Sequence, residues 1–235
     1  HGPALAGQRW ARATGGFSGA EVWRGDDETG GPRVALKRWP AETPPGRLAR
    51  VHQWMTRAGR LPFVPAVLPT PAGGTWVEDG GRTWDATRWV PGSPLEHPTV
   101  GEVEAAGAAV ARLHACWSAD RRPAPAPGVE TRLRVLAEGR SLAAACPGVQ
   151  LAAPAELRPL LARACGVVVR AAPAAEASLR PWANVRLPVQ PCVRDLRGEH
   201  VLFTGPAVTG VVDFGAMAED TPAVDLARLL GDLAG

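Results

Sequence analysis

At 235 residues with 46% hydrophobic content, the chain can bury a core as one globular unit or two lobes, which excludes a disordered polypeptide. Its net charge of +3 and pI near 9.0 come from arginines scattered along the chain, so a nucleic-acid footprint that neutralises many phosphates is excluded as well. No apolar run reaches the ~18 residues of a membrane helix and the N-terminus lacks a basic-then-apolar signal, so no membrane partner and a cytoplasmic location are expected. Cys116, Cys146, Cys165 and Cys192 lie far apart with no CxxC pair, and reduced, mostly buried thiols are expected rather than a zinc site or a disulfide framework.

The first ninety residues read mainly as strands. "RWARATGGFSGAEVWRG" (9–25) sets short apolar segments on both sides of a glycine-rich turn, and "PRVALKRW" (32–39) alternates in the manner of a strand, with the turn cluster "GDDETGGP" before it. Residues 46–59 place Leu48, Val51, Met55 and Ala58 at helix spacing, closed by Gly59. "GTWVEDGGRTWDATRWV" (74–90) is a hairpin around Asp79, Gly80 and Gly81.

After "PGSPLEHP" the pattern turns helical. Thr99 and Glu102 form a capping box, and Val100, Val103, Gly107, Val110, Leu113, His114 and Trp117 are expected to trace the buried face of the helix that follows. "RRPAPAPG" breaks the chain at 121–128. Two further helices are expected near 130–146 and 154–170, the second with Pro154 in its first turn. Strands return at 200–204 and 208–212 around Gly205 and Pro206, and a last amphipathic helix starts near Pro222. The expected class is α+β, with a β-rich lobe over 1–90 and a mainly helical lobe over 91–235.

Several residues have chemistry-bearing positions. A glycine-rich turn between strands, followed by a lysine on the next strand, suits a polyphosphate, because backbone N–H groups can approach it and the lysine supplies charge. Gly16, Phe17, Ser18 and Gly19 are the candidate turn and Lys37 the candidate cation. In the second half, "CVRDLRGEHVLF" holds Asp195 with His200 five positions on, and "TGVVDFGAM" ends its strand in Asp213, Phe214 and Gly215. That is the spacing of a kinase catalytic loop and its metal-binding DFG.

On these blocks, with "GGFSGAEVWR", "VALKRW", "RWVPGSPL", "ARLHACW" and "DLARLLG" in order along nearly the whole chain, the sequence resembles the aminoglycoside phosphotransferase and choline kinase-like group of small-molecule kinases. The resemblance implies the two-lobed protein kinase-like fold and ATP-dependent phosphoryl transfer, with Mg2+, to a hydroxyl of a small molecule. Asp195 matches the catalytic aspartate, Asp213 the magnesium ligand and Lys37 the lysine of the α- and β-phosphates. The backbone of Arg88 and Val90 is expected at the adenine edge, with Trp89 nearby. Relatives continue for several helices beyond the DFG hairpin where this chain has one, so the second lobe is expected to be incomplete at its C-terminus.

Three positions depart from the family pattern. Val193 stands at the usual histidine of the loop, and His200 at the usual asparagine, where imidazole is a poorer partner for a hard cation. Either one metal suffices, another metal is used, or His200 contacts Asp195 or phosphate directly. No acid occurs in 46–59 to pair with Lys37, and His52 is the nearest candidate to accept a hydrogen bond from it. These departures keep two alternatives open: a pseudokinase that binds nucleotide or a partner, and a hydrolytic transition-metal site formed by Asp195, His200 and Asp213. Asp225 is expected as a structural cap or interior acceptor, His114 as a satisfied core histidine, and Trp76, Trp84 and Trp89 as hydrophobic mass. Acidic candidates near the loop are few (Glu199, Glu219, Asp220), which points away from polycationic acceptors. The acceptor and the oligomeric state are left undetermined.

Overall fold

The computed structural model describes residues 7–13, 19–94, 97–146 and 153–233, with Leu5 and Gly148. The chain packs into two compact units, one of residues 1–119, 191–218 and 223–235 and another of residues 120–190 and 219–222.

The first unit begins with five antiparallel strands: β1 (Arg9–Arg12), β2 (Glu21–Asp26), β3 (Pro32–Arg38), β4 (Trp76–Asp79) and β5 (Arg82–Arg88), in the order β1-β2-β3-β5-β4. Register puts Lys37 of β3 between Val22 of β2 and Asp85 of β5. The β4–β5 turn is Gly80–Gly81, both at positive φ, the two-residue turn whose twist matches antiparallel strands. Helix α1 (Pro45–Ala58) has a proline at its first position, where a missing N–H costs nothing, and buries Leu48, Val51, Met55 and Ala58 as their spacing predicts. Helix α2 (Val100–Cys116) starts on the expected capping box: the Thr99 hydroxyl accepts from the Glu102 N–H while the Glu102 carboxylate accepts from the Thr99 N–H. Its buried stripe differs from the expected one. Ala106 and Ala109 pack inward with Val110, Leu113 and His114, whereas Val100 is 77% exposed, because the first turn overhangs the core rather than covering it.

The core of this unit joins α1, α2 and the loop after residue 192. Val51, Met55, Phe63, Val110, Leu113 and Trp117 meet Val193, Leu196, Val201, Val211 and Phe214 in one apolar cluster. The hairpin β8 (Val201–Thr204) and β9 (Ala207–Val211) turns at Gly205 and Pro206 as expected. Gly92 is required at its place: a Cβ there would come within 2.5 Å of the Thr209 hydroxyl and 2.8 Å of the Phe203 carbonyl oxygen. Helix α5 (Ala223–Leu233) closes the unit.

The second unit corrects several expectations. Residues 121–128 do not simply break the chain: Arg122–Pro125 form strand β6, at the edge of a small sheet with β7 (Arg186–Cys192) and β10 (Ala218–Asp220). An edge position tolerates prolines that cannot donate to a ladder, and the prolines of β6 and β7 hid both strands from pattern reading. Helix α3 spans Pro127–Ala144. The next helix, α4, spans Arg158–Leu179 after a short turn at Ala155–Leu157, so Pro159 rather than Pro154 lies in its first turn and Pro173 lies within it. An ion pair from Arg140 of α3 to Glu176 at 2.7 Å ties the two helices. Cys146 and Cys165 form a disulfide, which corrects the expectation of four reduced thiols, while Cys116 and Cys192 are not disulfide-bonded. Nineteen positions of separation gave no spacing signal, and the pairing of α3 with α4 brings the two sulfurs together.

Among the described residues no helix is long and apolar enough to cross a membrane.

Candidate phosphoryl-transfer site

The loop 193–200 is built to present Asp195. Val193 and Leu196 are fully buried in the core, so the residues between them face outward. Arg194 pays for this turn with φ of 69°, a left-handed conformation unfavourable for a side chain. Asp225 of α5 holds the backbone there: its carboxylate accepts from the Val193 N–H at 2.8 Å and the Arg194 N–H at 2.6 Å. The His114 ring Nε2 lies 2.9 Å from the same carboxylate, and both side chains are buried. Asp225 and His114 are thus interior hydrogen-bonding residues, in keeping with their sequence reading. Cys192 sets its sulfur among them, with all three ligand-type atoms within 4.8 Å, but the Asp225 oxygens already accept from backbone N–H groups.

Asp195 itself is 43% exposed at its side chain and is held by Arg228 of α5, whose Nε and Nη2 lie 3.2 and 3.0 Å from Oδ1. His200 turns Nδ1 to the backbone carbonyl oxygen of Asp195 at 2.8 Å. Its Nε2 faces Asp213 Oδ2 at 3.9 Å and Glu199 at 3.7 Å.

Asp213 sits at φ of 57°, a second left-handed residue, and its carboxylate accepts from the Gly215 N–H and from Lys37 Nζ at 3.1 Å. Burial pushes its pKa up, but the charge and hydrogen bond of Lys37, with the charge of His200, outweigh burial and hold the carboxyl below the usual carboxylate range. Lys37 Nζ also lies 4.3 Å from the centre of the Trp39 ring.

His52 does not reach for Lys37 as expected. It is buried between Asp85, 2.7 Å from its Nε2, and Thr75, 2.8 Å from its Nδ1, while Trp39 donates to the other Asp85 oxygen at 3.0 Å. Asp85 supplies a buried acceptor that sequence reading did not single out, since its cross-strand place opposite Lys37 becomes apparent only with the sheet register.

Two adjoining cavities in this unit collect these groups. One, of about 470 Å3, is lined by apolar side chains such as Val22, Ala35, Met55 and Leu202, by Arg88, Trp89 and Val90, and by Lys37 and Asp213. A second, of about 330 Å3, shares Lys37, Trp39 and Asp213 with the first and adds Arg47 and Asp195. Lys37, Asp195 and Asp213 are therefore brought together, with His200 on the wall of the larger cavity. Arg88 and Val90 line that cavity too, although the Arg88 N–H is already bonded to the Ala66 carbonyl at 2.8 Å. Gly16, Phe17 and Ser18 lie outside the described residues; Gly19 is described and has φ of 70°.

The donor set fits one hard cation better than two. Asp213 offers ionised oxygens toward the cavity, whereas His200 offers only a nitrogen there, its other nitrogen being engaged with Asp195. The three-residue transition-metal site is not formed, because the Asp195 carboxylate is directed to Arg228.

The chain resembles solved structures in fold. An aminoglycoside phosphotransferase from Alicyclobacillus acidocaldarius matches with a TM-score of 0.56 at 20% identity, over 96% of this chain and 68% of that one. Spectinomycin phosphotransferase APH(9)-Ia, in complex with ADP and spectinomycin, gives a TM-score of 0.61 at 12% identity, over 93% and 67%. A thermostable mutant of aminoglycoside phosphotransferase APH(4)-Ia, in ternary complex with AMP-PNP and hygromycin B, gives 0.54 at 16%, over 94% and 70%. These are kinase-like folds, in agreement with the α+β class read from the sequence. A comparison with curated proteins found no match. The family model described as the phosphotransferase enzyme family matches residues 9–234, nearly the whole of the chain. With a lysine, a loop aspartate and a DFG aspartate facing common cavities in a fold of this kind, the chain belongs to the phosphotransferase enzyme family.

Proposed function

We propose that the chain transfers a phosphoryl group from ATP to a hydroxyl of a small molecule, with residues 1–90 serving as the nucleotide lobe and residues 91–235 as the catalytic lobe. The observation that carries this reading is the meeting of Lys37, Asp195 and Asp213 around one cavity. Lys37 holds the α- and β-phosphates, the apolar cavity beside Arg88 and Val90 receives the adenine, and the turn of Gly16, Phe17, Ser18 and Gly19 covers the phosphates with backbone N–H groups. Asp213 is the residue to hold Mg2+, which when bound supplies positive charge against the charge that develops on the transferring group. Asp195 orients the acceptor hydroxyl and takes its proton on Oδ2, Arg228 being bound at Oδ1. His200 acts as a buttress, donating from Nδ1 to the Asp195 carbonyl oxygen. Catalysis is then mainly positioning and electrostatic stabilisation.

ATP turnover measured against a panel of sugar alcohols, amino alcohols and aminoglycosides tests the reading. Transfer to at least one hydroxyl acceptor, lost in Asp195→Asn, is expected; no transfer to any, or full transfer in that variant, would overturn it.

A second reading, nucleotide binding without transfer, draws on His200, which gives no oxygen to a second cation. Thermal unfolding with ATP alone and with ATP plus Mg2+ separates the two, since a ligand stabilises by its affinity for the folded state. A shift that needs the metal favours transfer, and one indifferent to it favours the sensor.

A further inference from the structure

Lys37 has no carboxylate to pair with on α1, yet its ammonium is held in one direction. Two partners hold it: Asp213, at 3.1 Å, and the face of Trp39, at 4.3 Å from the ring centre. Trp39 is itself fixed. Its Nε1–H donates to Asp85 Oδ1 at 3.0 Å, and His52, reaching across from α1, lies 2.7 Å from Asp85 Oδ2 with Thr75 behind its other nitrogen at 2.8 Å. Trp39, Asp85 and His52 are all buried. Both ring nitrogens of His52 are thereby engaged, one by the carboxylate and the other by the hydroxyl.

We propose that Trp39 is a positioning residue for Lys37, held in that role by Asp85 and His52 in place of the missing carboxylate on α1. The inference rests on the reading of Lys37 as the phosphate-holding lysine. A cation over an indole face is attracted by the ring's quadrupole, more strongly where water is kept away, and the Lys37 side chain is only 19% exposed. A carboxylate hydrogen-bonded at the indole N–H pushes electron density toward the ring and strengthens the attraction. The absence of a side chain at Gly215 keeps the place open: a Cβ there would lie 3.1 Å from Lys37 Nζ and 3.4 Å from the Trp39 ring. The two partners also differ in permanence. Asp213 must give its oxygens to a cation for the proposed reaction, which weakens its hold on Lys37, whereas the ring contact persists. His52 thus links α1 to the lysine indirectly, through Asp85 and Trp39, where the family pattern would use one ion pair.

A double-mutant cycle on ATP affinity, read by titration calorimetry without Mg2+, tests this independently of turnover. Trp39→Leu is expected to weaken ATP roughly three- to tenfold in the unaltered chain and to add nothing further in a Lys37→Met background. Trp39→Phe keeps a ring but loses the N–H to Asp85; it is expected to give a smaller loss, again only when Lys37 is present, and it serves should Trp39→Leu fail to fold. Equal losses in both backgrounds would mean that Trp39 acts on the nucleotide or on folding by itself, and would overturn the inference while leaving the reading of the site intact. ATP that fails to bind the unaltered chain would overturn that reading, and the inference with it.

Discussion

Lys37 and Asp195 line the same cavity on opposite kinds of support. Behind Lys37 stands a buried chain of hydrogen bonds from Trp39 through Asp85 to His52 and Thr75. The Asp195 carboxylate is held by Arg228, and both side chains are about half exposed. The backbone just before Asp195, by contrast, is held at the Val193 and Arg194 N–H groups by Asp225, which is fully buried. The difference teaches that burial separates two tasks. Buried acceptors decide where a residue stands, because leaving a donor unpaired there is costly, whereas a wetted ion pair only adjusts a carboxylate that is already in place.

The largest expected effect breaks the comparison at its exposed end. Asp195→Asn is expected to lower phosphoryl transfer by about 10²- to 10⁴-fold. Its stability should change by less than ~1 kcal/mol, since the carboxylate lies half in water. Turnover and a denaturant midpoint measured on the same preparation check both halves. Asp225→Ala should do the reverse, costing about 3–5 kcal/mol of stability by removing the buried acceptor that the Val193 and Arg194 N–H groups and His114 share. A urea midpoint close to that of the unaltered chain would contradict the division of tasks.

Lys37→Met sharpens the comparison through pH. The folded carboxyl of Asp213 is held below its ordinary range, so the Lys37 contribution to stability is complete above ~4, the ordinary aspartate value, and is lost as pH falls through the lowered folded value. The melting difference between Lys37→Met and the unaltered chain should therefore be flat from neutral pH to about 5 and shrink in stronger acid. The smallest effect is expected from Arg228→Gln: a stability change below ~1 kcal/mol that diminishes further in high salt, with Asp195 still in position.

Much of the fold was legible in the chain. The Gly80–Gly81 hairpin, the Thr99–Glu102 capping box and the inward residues of α1 stand where the sequence reading put them. The strands β6 and β7 were not legible, since proline in a strand argues against a ladder; β6 lies at the sheet edge, where proline is tolerated, but β7 is the middle strand of the three. The second half of α4 was hidden by Pro173, and the Cys146–Cys165 bridge by a separation with no motif. In the site, the blocks around Lys37, Asp195 and Asp213 pointed to one cavity, but His52 was matched to the wrong partner and Asp85 and Arg228 were missed.

The chain by itself determined what depends on neighbours a few residues away: turns that need positive φ, helix starts that need a side-chain acceptor, and apolar residues that recur at one period. Only the tertiary structure decided the partners of the charged groups. Trp39 meets Asp85 across 46 positions, His114 meets Asp225 across 111 and Lys37 meets Asp213 across 176. Hydrogen bonds and ion pairs act over a few ångströms of space whatever the distance along the chain, so packing had to choose among carboxylates that local pattern alone leaves equivalent.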